Sequence, residues 1–442
     1  MAEVSTNPVP GYSDTQSTAP EDVPDLPTYS ARSRAQFTEQ TFQLEDTKSR
    51  AWLWLKVNSR SKANQLPLFY DHDTLSGTVD IDFDKVDGAK TVTVSVFAGV
   101  TAVGQEEVRF LEITHQLWSA KGSPKLPGKH SYPYAITLPS DASVVERGKK
   151  PARTFPLPPS FSERASPAYI DYKLVVTVKK GSFRVNQVLA TTFVYMPLIR
   201  AEPPSSLREL SYREGVPLIG PQGDPGGWKV LSPVKVAGTL FDTRTVELEC
   251  TLAYATPLSY ALGSPIPITL TLKGSDEQGL DLLSTPSAVR LRLIRVRLVG
   301  SHAILDDDST GRSNNVFRVF RDSMGSAFFW PSDEGAPEVG TRVLQGELEV
   351  KNSLKLPFVF PRFSVRYALV LLQFQAPGFA PASSDVEPLI SERVTITGLN
   401  APGVVPRSYA PPGYVHAEEG DYNTAMGYLE NGNQRFYHHH GF

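Results

Sequence analysis

The chain has 442 residues and a formal net charge of -3, which leaves room for about two or three domains and gives no bulk attraction to nucleic acid. Its single cysteine, Cys250, excludes an intramolecular disulfide and suits a reducing compartment. Residues 1–20 lack a basic and an apolar region, and no run approaches about 18 uninterrupted apolar residues, so neither a signal peptide nor a spanning helix is expected.

Residues 1–36 are rich in Pro, Ser, Thr and acids and read as a disordered tail. Order is expected from "QFTEQTFQLED" onward. "AWLWLKVNSR" is a short apolar run, with Trp52 and Trp54 on one side and Leu53 and Leu55 on the other. The period then becomes two. In "TLSGTVDIDF", Val79, Ile81 and Phe83 alternate with Thr78, Asp80, Asp82 and Asp84. In "TVTVSVFAG", Val92, Val94 and Val96 alternate with Thr91, Thr93 and Ser95. Such alternation buries one face of a strand and wets the other. "YKLVVTVKKGSFRVNQVLATTFVYMP" reads as two strands around the turn "KKGS". With 37 prolines, 32 glycines and little helical period, residues 37–200 predict a β-sandwich.

Residues 201–230 are dense in Pro and Gly and read as a linker or crossing segment. A second β-rich block follows over 231–397, with strands predicted in "VELECTLAY", "IPITLTLKG", "AVRLRLIRVRLVG", "LQGELEV" and "FSVRYALVLLQFQ". Cys250 alternates with Leu248 and Leu252 and is expected to be a buried thiol. Within "VRLRLIRVRL", Val289, Leu291 and Leu293 share one phase and Val296 and Leu298 the other, which predicts a β-bulge near Ile294. Arg290, Arg292, Arg295 and Arg297 then form the solvated face of a half-buried strand. The competing reading is a contact with acidic lipid headgroups or a phosphorylated cargo tail. After 397 the chain turns polar, and 398–442 reads as a second disordered tail.

Both tails carry a short run of the same outline. "PPGY" places Pro411 and Pro412 three and two residues ahead of Tyr414, and "LPTY" repeats the outline with Leu26, Pro27 and Tyr29. Proline fixes φ and adjacent prolines favour polyproline II, so the bound shape is partly preformed. WW domains hold such a helix in an aromatic groove. The nearby "VPRSYAPP" has Pro406 and Tyr409 but lacks an adjacent proline or leucine, and it is set aside.

"YDHDTLSGTVDIDF" followed by "AKTVTVSVFAGV" resembles the opening of the arrestin N-domain, where a turn leads into a Gly-containing strand. "KLPGKHSYPYAITLPS", with Leu126, Gly128, Tyr132, Tyr134, Leu138 and Pro139, resembles that family's pattern of leucine, glycine, aromatics and Leu-Pro. "PAYIDYKLVVTVKK" resembles the next strand. "YATPLSYALGSPIPITLTLKG" and "LPFVFPRFSVRYALVLLQF" resemble parts of the C-domain. The resemblance covers about residues 37–397 and lies nearest the α-arrestin, or fungal arrestin-related, branch. It implies an all-β chain of two immunoglobulin-like sandwiches with tails that carry WW ligands. It also implies an adaptor in the cytoplasm that brings a WW-domain HECT-type E3 ubiquitin ligase to a membrane transporter or receptor cargo. The chain would then associate peripherally with plasma membrane or endosomes through that cargo. The alternative is a trafficking scaffold of the same fold with no ligase partner.

No cofactor, metal or catalysis is expected. The chain has no G-x-x-x-x-G-K-[ST], G-x-S-x-G or H-E-x-x-H, and His72, His115, His130 and His302 are scattered. The terminal "YHHHGF" and Asp306–Asp308 lack the spacing of a metal site. Lys149 and Lys150 are not distinguished from other lysines as ubiquitin acceptors.

Overall fold

The alternation in "TVTVSVFAG" produces a long strand, Ala89–Ala102, in which Val92, Val94 and Val96 are fully buried. The computed structural model describes residues 37–86, 88–121, 127–145, 152–164, 166–181, 184–301, 303–305, 318–332, 338–383 and 388–412. Among these the chain is mostly β-sheet, with two short α-helices between strands. In the first half, Thr38–Glu45, Ala51–Ser59, Thr74–Asp82 and Lys129–Thr137 form one antiparallel sheet in that order. A second sheet runs Leu68–Tyr70, Gln187–Met196, Ala168–Lys180, Ala89–Ala102, Val108–Ser119, and only its first pair is parallel. Leu53, Leu55, Val79 and Ile81 of one sheet share a buried cluster with Val94, Val96, Leu174 and Val176 of the other, a sandwich-like arrangement.

The second half repeats the scheme. One sheet runs Phe328–Pro331, Thr341–Glu349, Pro265–Lys273, Arg244–Ala255, Val234–Leu240, Phe379–Pro381, with Trp228–Val230 also on Arg244–Ala255. The other runs Ser259–Ala261, Ile390–Thr397, Arg362–Leu371, Leu291–Gly300, Arg318–Ser326, with Phe358–Phe360 added to Arg362–Leu371. Cys250 is fully buried, and burial raises its thiol pKa to about 12. An aromatic seam joins the halves. Phe110 packs 4.7 Å from Phe360, Phe161 packs 5.0 Å from Phe363, and Phe155 lies 5.7 Å from Phe360. Centroid separations of this size are those of attractive edge-on or tilted pairs.

Three expectations gain detail from the structure, and one of them, the tail after 397, is corrected. First, within residues 201–230, read as a linker or crossing segment, lies a helix, α1 (Ser206–Glu214). Ser205 caps its start by accepting from the Arg208 N–H, and Gly215 ends it at φ 73°. Arg208 is buried and donates to the carbonyls of Thr256 (2.6 Å) and Gly227, with its guanidinium over the Trp228 ring. Burial lowers its pKa, and nearby hydroxyls and Asp224 offset part of that.

Second, the segment 398–412 is packed rather than loose. Gly398 and Leu399 donate to the Ile199 carbonyl at 3.0 and 3.1 Å, Ala201 donates to Leu399 at 2.8 Å, and Ala401 and Val404 are buried. The polar composition after 397 conceals these few apolar anchors.

Third, the irregularity expected near Ile294 is present, at the step from Leu293 to Ile294, and its extra residue lies in the neighbouring strand. Leu293 pairs with Gly325 and Ile294 with Ser323, which leaves Met324 as the insertion. Pairing of Leu291–Gly300 with Arg362–Leu371 is unbroken.

Candidate functional site

Two places in the structure hold residues that the sequence singles out or adjoins: the packed segment that leads to Pro411 and Pro412, and the charge cluster around Arg295.

The packed segment begins as a parallel bridge between Leu399 and Arg200. Asn400 accepts from Ser264 Oγ at 2.8 Å, and Ala401 and Val404 enter a small apolar cluster with Tyr212 of α1. Tyr409 joins the same cluster. Its ring stacks on Tyr212 with centroids 6.3 Å apart and planes 25° from parallel. Glu347, buried in the strand Thr341–Glu349, accepts from the Ser408 hydroxyl at 2.6 Å and from the Tyr409 amide. Burial pushes the Tyr212 hydroxyl up to about 12 and the Tyr409 hydroxyl upward too, so both rings stay neutral near neutral pH. Arg407 lies near the end of α1, close enough that a Cβ on Gly215 would meet its Nη1 at 3.0 Å. A cation there complements the carbonyl end of the helix dipole.

Pro411 is half-buried and Pro412 exposed, and they are the last two described residues. Tyr414 lies outside the described residues, as do Leu26, Pro27 and Tyr29, Lys149 and Lys150, Asp306–Asp308 and the terminal histidines. Sequence reasoning missed Ser408, Tyr409, Glu347 and Tyr212. The set-aside run "VPRSYAPP" held the signal, an aromatic directly after Arg407 and Ser408, but its partner strand lies about sixty residues upstream.

The arginine stripe does not form a solvated face. Leu291, Leu293, Arg295, Arg297 and Val299 share the buried face of one strand, with Arg295 at 6% exposure and Arg297 at 9%. Arg295 Nη1 meets Glu163 Oε1 at 2.6 Å and its Nη2 meets Asp322 at 3.3 Å. Arg297 reaches Asp322 at 3.0 Å and Glu163 at 3.9 Å. Two cations thus face two carboxylates. Burial pulls the Arg295 pKa down, but Glu163, Tyr367 and Asp322 outweigh it and the net shift is upward. The apparent phase slip read from Val296 and Leu298 is therefore a pair of charges on the buried parity. These two arginines are spent inside the chain, while Arg290 and Arg292 are half-buried.

A cavity of about 40 Å³ lies between Arg208, Tyr212, Tyr260 and Val404, room for a few waters. Among the described residues no group of three His, Cys, Asp or Glu side chains is placed to hold a metal ion. No helix among them is long and apolar enough to cross a membrane.

Compared with known proteins, the chain matches no family model and none of the curated proteins.

Proposed function

We propose that this chain is an arrestin-like adaptor that recruits a WW-domain HECT-type E3 ubiquitin ligase to a membrane transporter or receptor cargo. In this reading the two sandwich-like halves are arrestin N- and C-domains, and the chain performs no covalent chemistry itself. Pro411, Pro412 and Tyr414 form the main ligand, and Leu26, Pro27 and Tyr29 a second copy. The observation that supports the reading is the proline pair Pro411–Pro412 at the surface of a β-sheet body, with Pro412 exposed. Two weak ligands on one chain gain by effective concentration when the ligase offers several WW domains. The protein works in the cytoplasm and meets the membrane through its cargo.

Ligase co-precipitation from cells tests this. Tyr414→Ala should remove most of the co-precipitated ligase, Tyr29→Ala a smaller share, and the double change nearly all. Unchanged recovery with the double change would overturn ligase recruitment and leave a trafficking scaffold.

A further inference from the structure

We propose that residues 405–410 clamp the flank of the Pro411–Pro412 hook onto the body, and that Ser408 is a phosphorylation site whose phosphate opens the clamp. The proposal rests on the ligase-recruiting reading above and adds its regulation.

The clamp has three contacts within three consecutive residues. Arg407 sits near the end of α1, Ser408 donates to Glu347, and Tyr409 donates to Glu347 through its amide while its ring stacks on Tyr212. Tyr409 lies two residues before Pro411, and both Ala410 and Pro411 are half-buried. A WW groove closing on Pro411 and Pro412 needs the flanking backbone clear of other surfaces. Docking of Tyr409 and binding of a WW domain therefore compete.

Ser408 itself is exposed, in a segment that is neither helix nor strand, and Arg407 before it is exposed too, while Tyr409 after it is half-buried. A serine kinase can therefore reach it. Phosphoryl transfer from ATP forms the Oγ–P bond, breaks the bond to the leaving ADP, and releases the hydroxyl proton to the kinase's base. The product cannot keep the native contact. The hydroxyl that donated to Glu347 is gone, and a group carrying about -1.5 to -2 charge faces that carboxylate. The backbone of Glu347 is held in place, because its strand pairs with Pro265–Lys273 on one side and Phe328–Pro331 on the other. Repulsion then expels Ser408, and the adjacent Tyr409 amide loses its acceptor with it.

The experiment uses full-length protein with phosphoserine introduced at position 408 during expression, alongside the unmodified chain and Tyr409→Ala. Titration calorimetry measures affinity for a purified WW domain of a HECT-type ligase. Synthetic peptides of residues 403–420, with and without phosphoserine, give the unclamped reference. Hydrogen exchange follows the Tyr409 amide. The unmodified chain should bind at least about tenfold more weakly than its peptide, because only the undocked fraction is competent. Phosphoserine and Tyr409→Ala should each bring the chain within about twofold of the matching peptide, and both should abolish protection of the amide at position 409. Equal affinity of unmodified chain and peptide, or unchanged amide protection with phosphoserine, would overturn the clamp. A peptide that fails to bind any WW domain overturns the ligase reading instead, and the exchange result still decides the clamp.

Discussion

Glu163→Ala is expected to lower the unfolding free energy by about 3–5 kcal/mol, the range for removing one member of a buried ion pair. The Glu163 side chain is 2% exposed and meets Arg295 at 2.6 Å and Arg297 at 3.9 Å. Its removal leaves two buried guanidinium groups facing one carboxylate, Asp322, which is itself partly exposed. The loss is dominated by stranded charge, because water cannot reach the arginines to replace the missing partner. A second variant isolates that cause. Glu163→Leu combined with Arg295→Met and Arg297→Leu removes the charges together, and such replacements are often neutral or stabilising. It should therefore recover most of the stability lost in the single change. Urea unfolding followed by tryptophan fluorescence gives the comparison, read as midpoint shifts at unchanged slope. A loss below about 1 kcal/mol for Glu163→Ala would mean the cluster behaves as a solvated surface bridge, and the account of the buried stripe would fail.

This cluster also marks where sequence reasoning stops. Period two identifies the strand Leu291–Gly300 and its inward parity as far as Leu293. It cannot show that Arg295 keeps the inward parity, because its partner Glu163 lies 132 residues upstream in a loop of the first half. An apolar pattern reports what is buried among hydrocarbons, and a charge buried against another charge leaves the opposite trace. The helix α1 fails differently. Its signals were local and present: Pro203 and Pro204 ahead, Ser205 at the cap, Gly215 just beyond the end. They were read as linker composition because proline and glycine punctuate helices as well as loops. The packed segment after 397 fails for a third reason. Its anchors are single residues, Ala401, Val404 and Tyr409, gathered around Tyr212 of α1 at irregular spacing, and no window average detects so sparse a pattern. The strands carrying Val92, Val94, Val96, Leu53 and Leu55 were legible because each has a fully buried side chain at alternate positions.

Gly77→Ala should destabilise the protein by about 2–4 kcal/mol, as expected when a methyl is forced into a packed backbone. Gly77 lies in the strand Thr74–Asp82, opposite Val57 on one side and Tyr134 on the other. A Cβ built there would lie 1.9 Å from the Lys56 carbonyl oxygen and 2.8 Å from the Tyr134 hydroxyl. That hydroxyl donates to the same carbonyl at 3.0 Å, and the Tyr134 ring is buried. The glycine is thus the gap through which a tyrosine from the next strand reaches across to a third. Adding a methyl must move a paired strand, expel the tyrosine, or both. Tyr134→Phe removes only the hydrogen bond and should cost about 1 kcal/mol. In the double variant the hydroxyl clash is absent but the backbone clash remains, so the combined loss should fall short of the sum by at least about 0.5 kcal/mol. Urea midpoints of the three variants measure this. Gly77→Ala within about 0.5 kcal/mol of the parent, the range of an ordinary surface change, would show that the strands yield freely here. The pairing of glycine with tyrosine across this sheet would then have no structural necessity.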